Sequence, residues 1–180
     1  MSSPAVSFGR LLRRFRDNGK ASAAVEFAIL APIFFALLFA IIETALMFFA
    51  SQILETMTQD SARMILTGQA QTANYQQADF KQYVCSRIPA IFSCNNIVVN
   101  VQSFPSFSSA SFGNPFDASC QVQSGNVQYN PGGPGDVVLV QVFYPWQLFV
   151  TGLGFNIANC PNSQRMLKAT AAFQNEPYSN

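Results

Sequence analysis

The chain has 180 residues, enough for one modest domain and an anchoring segment. Only 11% of its residues are charged, whereas about 25% is usual for a soluble domain. The net charge of +1 gives no indication of a polyanionic partner, so nucleic acid is not an expected ligand.

Basic residues are concentrated at the start of the chain, before a long apolar segment. No basic residue follows Lys20 until Arg63. Because positively charged flanks stay in the cytoplasm, the N-terminus is predicted to be cytoplasmic and the C-terminal part to lie outside. Residues 1–21 are interpreted as a basic leader. The part of the leader around Phe8 is predicted to be either a short amphipathic helix on the inner leaflet or a solvated segment. Its basic residues are Arg10, Arg13, Arg14, Arg16 and Lys20.

The apolar segment from Phe27 to Ala50 is predicted to be a transmembrane helix. It contains one ionisable residue, Glu43. At 1.5 Å per residue it spans about 36 Å, enough to cross a hydrocarbon core of ~30 Å. The alternatives are a buried core helix and a cleaved secretory signal, but the apolar region of such a signal is shorter. Pro32 lies inside this helix and is expected to kink it.

Two acidic residues accompany the apolar segment. An acidic group at the bilayer centre costs about 2.5–3.5 kcal/mol on insertion scales, so such a residue usually faces a partner. Glu26 is predicted either to pair with a partner or to be solvated at the interface. Glu43 is predicted either to lie near the outer headgroups or to pair within an assembly.

Beyond the anchor, the pattern predicts a small α+β domain. The first helix is expected to end near Leu66, with Gly68 as its stop. A second helix is predicted over residues 75–88, capped by Asn74 together with Gln77.

Three strand-like segments follow the second helix. Residues 97–101 alternate, residues 136–144 are apolar on both faces as in a central strand, and residues 166–174 place alternate apolar side chains on one face. An antiparallel sheet of about three strands packed on helix is therefore predicted. The intervening segment, residues 103–135, is rich in Ser, Phe, Gly and Pro, and its phenylalanines predict partial packing or a contact surface.

The four cysteines all lie beyond the apolar segment, where an oxidising compartment favours disulfides. Three pairings are possible, and proximity along the chain favours Cys85 with Cys94 and Cys120 with Cys160. The chain has no histidine and no CxxC pair, so neither a metal site nor a cofactor is expected. Without histidine or a recognisable catalytic motif, the protein is not expected to be an enzyme.

Residues 23–32 read AAVEFAILAP, and the helix continues through Ile41-Ile42-Glu43 to Ser61-Ala62-Arg63. Together with the tail AAFQNEPY at residues 171–178, this resembles the TadE-like minor pilins and pseudopilins of the tight-adherence (Tad/Flp) type IV pilus. The resemblance implies a pilin-like layout, with a long transmembrane helix followed by a small α+β body. It covers residues 10–66 well, the tail moderately and the middle only in general layout.

The resemblance also implies processing and partners. A prepilin peptidase would cut between Ala21 and Ser22, which makes Glu26 the fifth mature residue, or alternatively between Gly19 and Lys20. Glu26, and secondarily Glu43, would pair with other pilins, and the pilus assembly platform would be a further partner. The implied role is pilus biogenesis, surface adhesion and biofilm formation.

The expected organisation is a leader at 1–21, a transmembrane helix with a periplasmic extension at 22–68, and a periplasmic α+β domain at 69–180. The expected location is the bacterial inner membrane, crossed once. The alternative function is a signal-anchored periplasmic binding module that never joins a filament.

Overall fold

The computed structural model describes residues 19–111, 113–150 and 156–178, with the backbone alone at 19–22 and 124. The predicted leader up to residue 18 lies outside this description. The helices are α1 (Gly19–Leu66), α2 (Gln69–Thr72) and α3 (Gln77–Cys85). The strands are β1 (Val98–Phe104), β2 (Val137–Gln147) and β3 (Gln164–Gln174). The α+β fold predicted from the sequence is confirmed.

Helix α1 has 48 residues and continues through Pro32 without interruption. It ends at Leu66, and Gly68 follows with a φ of 75°, a left-handed conformation that glycine adopts without steric cost. A Cβ at this glycine would lie 2.4 Å from the ring of Tyr178, so there is no room for a side chain. The predicted helix stop is therefore confirmed.

By packing, the chain divides into two compact units at Ile42 and Glu43. The second part of α1 therefore belongs to the same unit as the sheet, and we call residues 69–178 of that unit the body. The domain ranges expected from the sequence, with a boundary at 68/69, were drawn by the expected role of each segment rather than by packing. They stay a prediction.

Helix α3 is shorter than predicted, and its cap is different. Its N-cap is Gln76, whose backbone N–H donates to Asp79 Oδ2 at 2.8 Å in a capping box. The prediction that Asn74 and Gln77 form the cap is wrong. Asn74 instead adopts a φ of 53° in the turn before the helix, where asparagine is one of the few residues that tolerate positive φ.

The sheet is antiparallel in the order β1-β2-β3. Val101, Val140 and Ala171 are directly opposite one another across its three strands. Strand β2 is buried on both faces, as its apolar sequence predicts for a central strand. One face of the sheet packs in a single core with α1 and α3. The buried residues of α1 in that unit are Glu43, Met47, Ala50, Leu54, Thr58, Ser61, Ala62 and Ile65.

The long segment between β1 and β2 is partly packed on the sheet. Phe116 is buried against Phe143 of β2, with ring centroids 5.0 Å apart. Tyr129 bridges to Val101 in parallel and so extends the sheet beyond β1. The predicted partial packing of residues 103–135 is confirmed for these two aromatic residues.

The tail holds the end of α1 against the turn that precedes β2. Glu176 N–H donates to the carbonyl of Leu66 at 2.9 Å. The Asn175 amide donates to the carbonyls of Pro131 and Gly133, both at 2.9 Å. The tail motif AAFQNEPY therefore includes the end of β3 and a residue that hydrogen-bonds to the last turn of α1.

Candidate membrane anchor and assembly segment

The first part of α1 exposes nearly all of its large apolar side chains. The described helix from Ala23 to Leu66 has a window of mean hydropathy 2.6 and is long and apolar enough to cross a membrane. Within the described residues it is the one helix of which this is true. Its exposed large apolar residues up to Ile42 are Val25, Phe27, Ile29, Leu30, Ile33, Phe34, Phe35, Leu37, Phe39, Ile41 and Ile42. The helix fits a single-pass membrane anchor.

Glu26 lies on an exposed position of this anchor, one residue before Phe27. The four residues of the two candidate cleavage sites, Gly19 to Ser22, lie in the first turns of α1, where only the helical backbone is described. Processing at Ala21–Ser22, or at Gly19–Lys20, stays a prediction. The same holds for pairing of Glu26 with another subunit.

Glu43 is buried, with only 6% of its surface exposed, and the body supplies its partners. The backbone N–H of Val150 donates to Glu43 Oε1 at 3.1 Å and to Oε2 at 3.0 Å. The backbone N–H of Phe149 also donates to Oε1. Hydrogen bonds to an ionised acceptor are roughly twice as strong as those between neutral groups. The carboxylate thus bonds helix α1 to the segment that follows β2.

The structure adds partners within the chain to the two sequence-based interpretations of Glu43, a position near the outer headgroups or pairing within an assembly, and both interpretations stay predictions. Neither headgroup exposure nor an intersubunit contact is needed to explain the residue, because the chain itself supplies its donors. An additional role of Glu43 in assembly stays a prediction. Sequence reasoning missed these partners because they are backbone amides 106 and 107 positions away, and amides carry no residue-specific signal.

The exposed side of α1 changes character within the same compact unit. Leu46, Phe48 and Phe49 are the last large apolar side chains exposed on this helix. The exposed side chains that follow are polar, beginning with Gln52, then Thr56, Gln59, Asp60 and Arg63. The exposed side of α1 thus changes from apolar to polar between Phe49 and Gln52.

Two disulfides constrain the body. Cys85 is joined to Cys94, and Cys120 to Cys160, the pairing that proximity along the chain favours. The second bridge ties the segment between β1 and β2 to the residues before β3. The described residues contain no cluster of three or more His, Cys, Asp or Glu side chains that could hold a metal ion.

Aromatic rings cluster near the end of β2, which includes both Tyr144 and Trp146. The Phe92 ring lies 4.9 Å from that of Tyr144 and 6.1 Å from that of Trp146, both in edge-to-face geometry. The contribution of Phe92, which follows α3, was not predicted, because it depends on the tertiary fold.

The described residues combine an apolar helix that fits a single-pass membrane anchor with an α+β body that contains two disulfides. Residues 21–63 match the model of the family described as TadE-like protein, and this segment is similar to that family. The resemblance seen in the sequence is thus confirmed, and it supports a subunit associated with the Tad pilus. Comparison with curated proteins gave no match, and comparison with solved structures gave none.

Proposed function

We propose that this protein is a minor pilin or pseudopilin of a tight-adherence type IV pilus and acts in pilus assembly as a structural subunit without catalytic activity. The observation that carries the proposal is the TadE-like segment, which places an acidic residue, Glu26, at the start of an exposed apolar helix. In this role the protein contributes to surface adhesion and biofilm formation through the filament.

The anchor is suited to joining other helices. Its exposed apolar side chains can pack either against lipid or against another apolar helix with little difference in free energy. Apolar contacts alone therefore specify the register of two such helices weakly. A carboxylate that must find a partner supplies that specificity, because a buried charge without its partner is strongly unfavourable.

The partner of Glu26 in this proposal is the N-terminal amine of a neighbouring subunit. A prepilin peptidase creates this amine on the cytoplasmic face by cutting between Ala21 and Ser22. The basic leader keeps that end of the chain in the cytoplasm, and the body lies in the periplasm. Other pilins and the assembly platform are the remaining partners.

Replacement of Glu26 tests the proposal. Glu26→Leu removes the carboxylate and leaves the partner amine unpaired in the assembly, so we expect piliation to fall on the order of a hundredfold. Membrane insertion should be unchanged or better, because an acidic residue opposes insertion. The measurements are pilus counts by electron microscopy and the amount of protein in the membrane fraction.

Two control variants make this result specific. Glu26→Asp retains the charge and should retain part of the piliation. Glu55→Leu makes the same chemical change further along α1, where Glu55 accepts a hydrogen bond from Gln59 of its own helix, and should leave piliation intact. Normal pilus numbers in Glu26→Leu at normal protein levels would contradict the proposal and favour an anchored periplasmic binding module.

A further inference from the structure

We propose that the end of the body that is bonded to Glu43 lies in the membrane interface and binds lipid through a basal apolar surface. This surface consists of five exposed side chains: Leu46, Phe48, Phe49, Ile91 and Phe149. The inference rests on the part of the proposed function that makes α1 a membrane span. Leu46, Phe48 and Phe49 belong to the end of the spanning segment, and Ile91 and Phe149 of the body add a second membrane-binding element outside it.

The basal surface gathers residues that are distant in sequence at one end of the body. Phe149 has 84% of its surface exposed, although its backbone N–H is bonded to Glu43 of α1. Ile91 is 47% exposed and adjoins Phe92, whose ring contacts Trp146 near the end of β2. Several large apolar side chains exposed at one end indicate a binding surface rather than isolated apolar residues.

The depth of this surface follows from α1. The exposed side of the helix is apolar up to Phe49 and polar from Gln52. Glu43 lies six residues before Phe49, about 9 Å along the helix axis at 1.5 Å per residue. The segment bonded to Glu43 therefore lies on the apolar side of this boundary, at the depth of the lipid rather than of the water.

The backbone N–H groups of the segment after β2, residues 148–150, have hydrogen-bond acceptors within the protein, as an environment without water requires. Non-helical backbone at membrane depth is tolerated only where its polar groups have partners. The Leu148 N–H donates to the Ser163 carbonyl at 2.9 Å, and the Leu148 carbonyl accepts from Gln147 Nε2 at 3.2 Å. The next two N–H groups, of Phe149 and Val150, donate to Glu43. This arrangement also explains why an acidic residue occurs in so apolar a helix.

Charge favours a bilayer over a neighbouring protein as the occupant. Basic residues of the body lie towards the same end. Arg165 is opposite Trp146 across the β2–β3 pair, and Lys168 is opposite Phe143. Arg87 closely follows Cys85, which is bonded to Cys94 shortly before β1 begins. An apolar surface bordered by positive charge suits a bilayer with anionic headgroups.

The test uses the full chain in vesicles of phosphatidylcholine and anionic phosphatidylglycerol. In a Trp146→Phe background, Phe149→Trp places a single fluorophore at the basal surface. We expect blue-shifted emission and strong quenching by lipids brominated near the headgroup. The matched control is Phe107→Trp, because Phe107 is also exposed but lies beyond the opposite end of β1. It should emit as in water and remain unquenched.

Loss of the Glu43 bonds provides a second readout. In Glu43→Leu the amides of Phe149 and Val150 lose their acceptor, so quenching at position 149 should fall at least twofold. Resistance of the four cysteines to alkylation checks that each variant has folded. If Phe149→Trp emits as in water and is quenched no more than the control, the proposal is overturned. Shielding of this position in isolated pili but not in vesicles would also overturn it and assign the surface to a neighbouring subunit.

These measurements are independent of piliation. The vesicles contain no other subunit, so failure of the Glu26 experiment leaves the expected quenching unchanged. Conversely, normal dependence of piliation on Glu26 without quenching at position 149 would overturn the basal surface alone.

Discussion

Tyr129 shows how a single residue of the long loop is used in the core. Its ring packs 5.8 Å from that of Phe80, and its hydroxyl is buried with no hydrogen-bond partner among the described residues. Burial, reinforced by the negative charge of Asp79 and by Tyr75, raises the pKa of Tyr129 to about 12. The neutral phenol is thus strongly favoured in the folded protein.

This shift predicts a specific loss of stability at alkaline pH. Because the pKa of Tyr129 is higher in the folded state than in the unfolded state, where it is near 10, its stabilising contribution is complete below pH 10. That contribution is lost as pH rises from 10 to 12. Tyr129→Phe should lessen the fall in melting temperature over this range.

Thermal unfolding in detergent, followed by circular dichroism at pH 8 and at pH 11, checks this prediction. At pH 8 the variant should be as stable as the parent or more so, since it removes a buried hydroxyl that has no partner. A parallel fall of both proteins between the two pH values would show that Tyr129 does not contribute to alkaline unfolding.

The two glutamates differ in how far sequence alone could explain them. Glu26 is found from its local motif, AAVEF, and lies at an exposed position on α1, while its pairing with another subunit stays a prediction. The partners of Glu43 depend on the fold of the whole body. A carboxylate in an apolar segment predicts that some donor exists, but it does not identify backbone amides more than 100 residues away.

At the level of elements, the sequence predicted those with strong periodicity or composition. The end of α1 follows from Gly68, and the central position of β2 follows from its continuous apolar sequence. The cap of α3 could not be predicted reliably, because Asn74 and Gln76 are both polar residues close to the start of the helix. Asn74 adopts a positive φ in the turn that precedes α3, so the N-cap position falls to Gln76.

The disulfides predict the absence of free thiols and a ranking of how much each bridge stabilises the fold. Protein purified from its native membrane should contain no free thiol, and alkylation of two cysteines without prior reduction would contradict this. The 40-residue separation of Cys120 and Cys160 implies about 4 kcal/mol of chain-entropy stabilisation, whereas the 9-residue separation of Cys85 and Cys94 implies about 2.6 kcal/mol.

Paired serine variants check this order. Cys120→Ser with Cys160→Ser should lower the melting temperature more than Cys85→Ser with Cys94→Ser. The reverse order would show that packing around Cys85, which contacts the core, outweighs loop entropy.

At the scale of the whole molecule, the long segment between β1 and β2 was the hardest part to predict. Its composition resembles a flexible loop, yet Phe116 and Tyr129 pack on the sheet and a disulfide joins it to the residues before β3. These contacts are between distant parts of the chain. Neither periodicity nor local turn chemistry records them.

The charge distribution predicts the orientation of the whole chain. With the basic leader before the span, a reporter that is active only in the periplasm should be active when fused after Asn180. The same reporter fused near Arg16 should be inactive. The opposite pattern would contradict the proposed orientation and, with it, the position of the body.

The central claim, that this is a processed pilin-like subunit, is tested most directly by the N-terminal residue of the mature protein. Mass spectrometry of protein purified from its native membrane should find Ser22 at the N-terminus, which makes Glu26 the fifth residue. A start at Lys20 would still indicate cleavage of the leader, at the alternative site. A chain that retains the leader from Met1 would contradict the claim and leave an anchored module in its place.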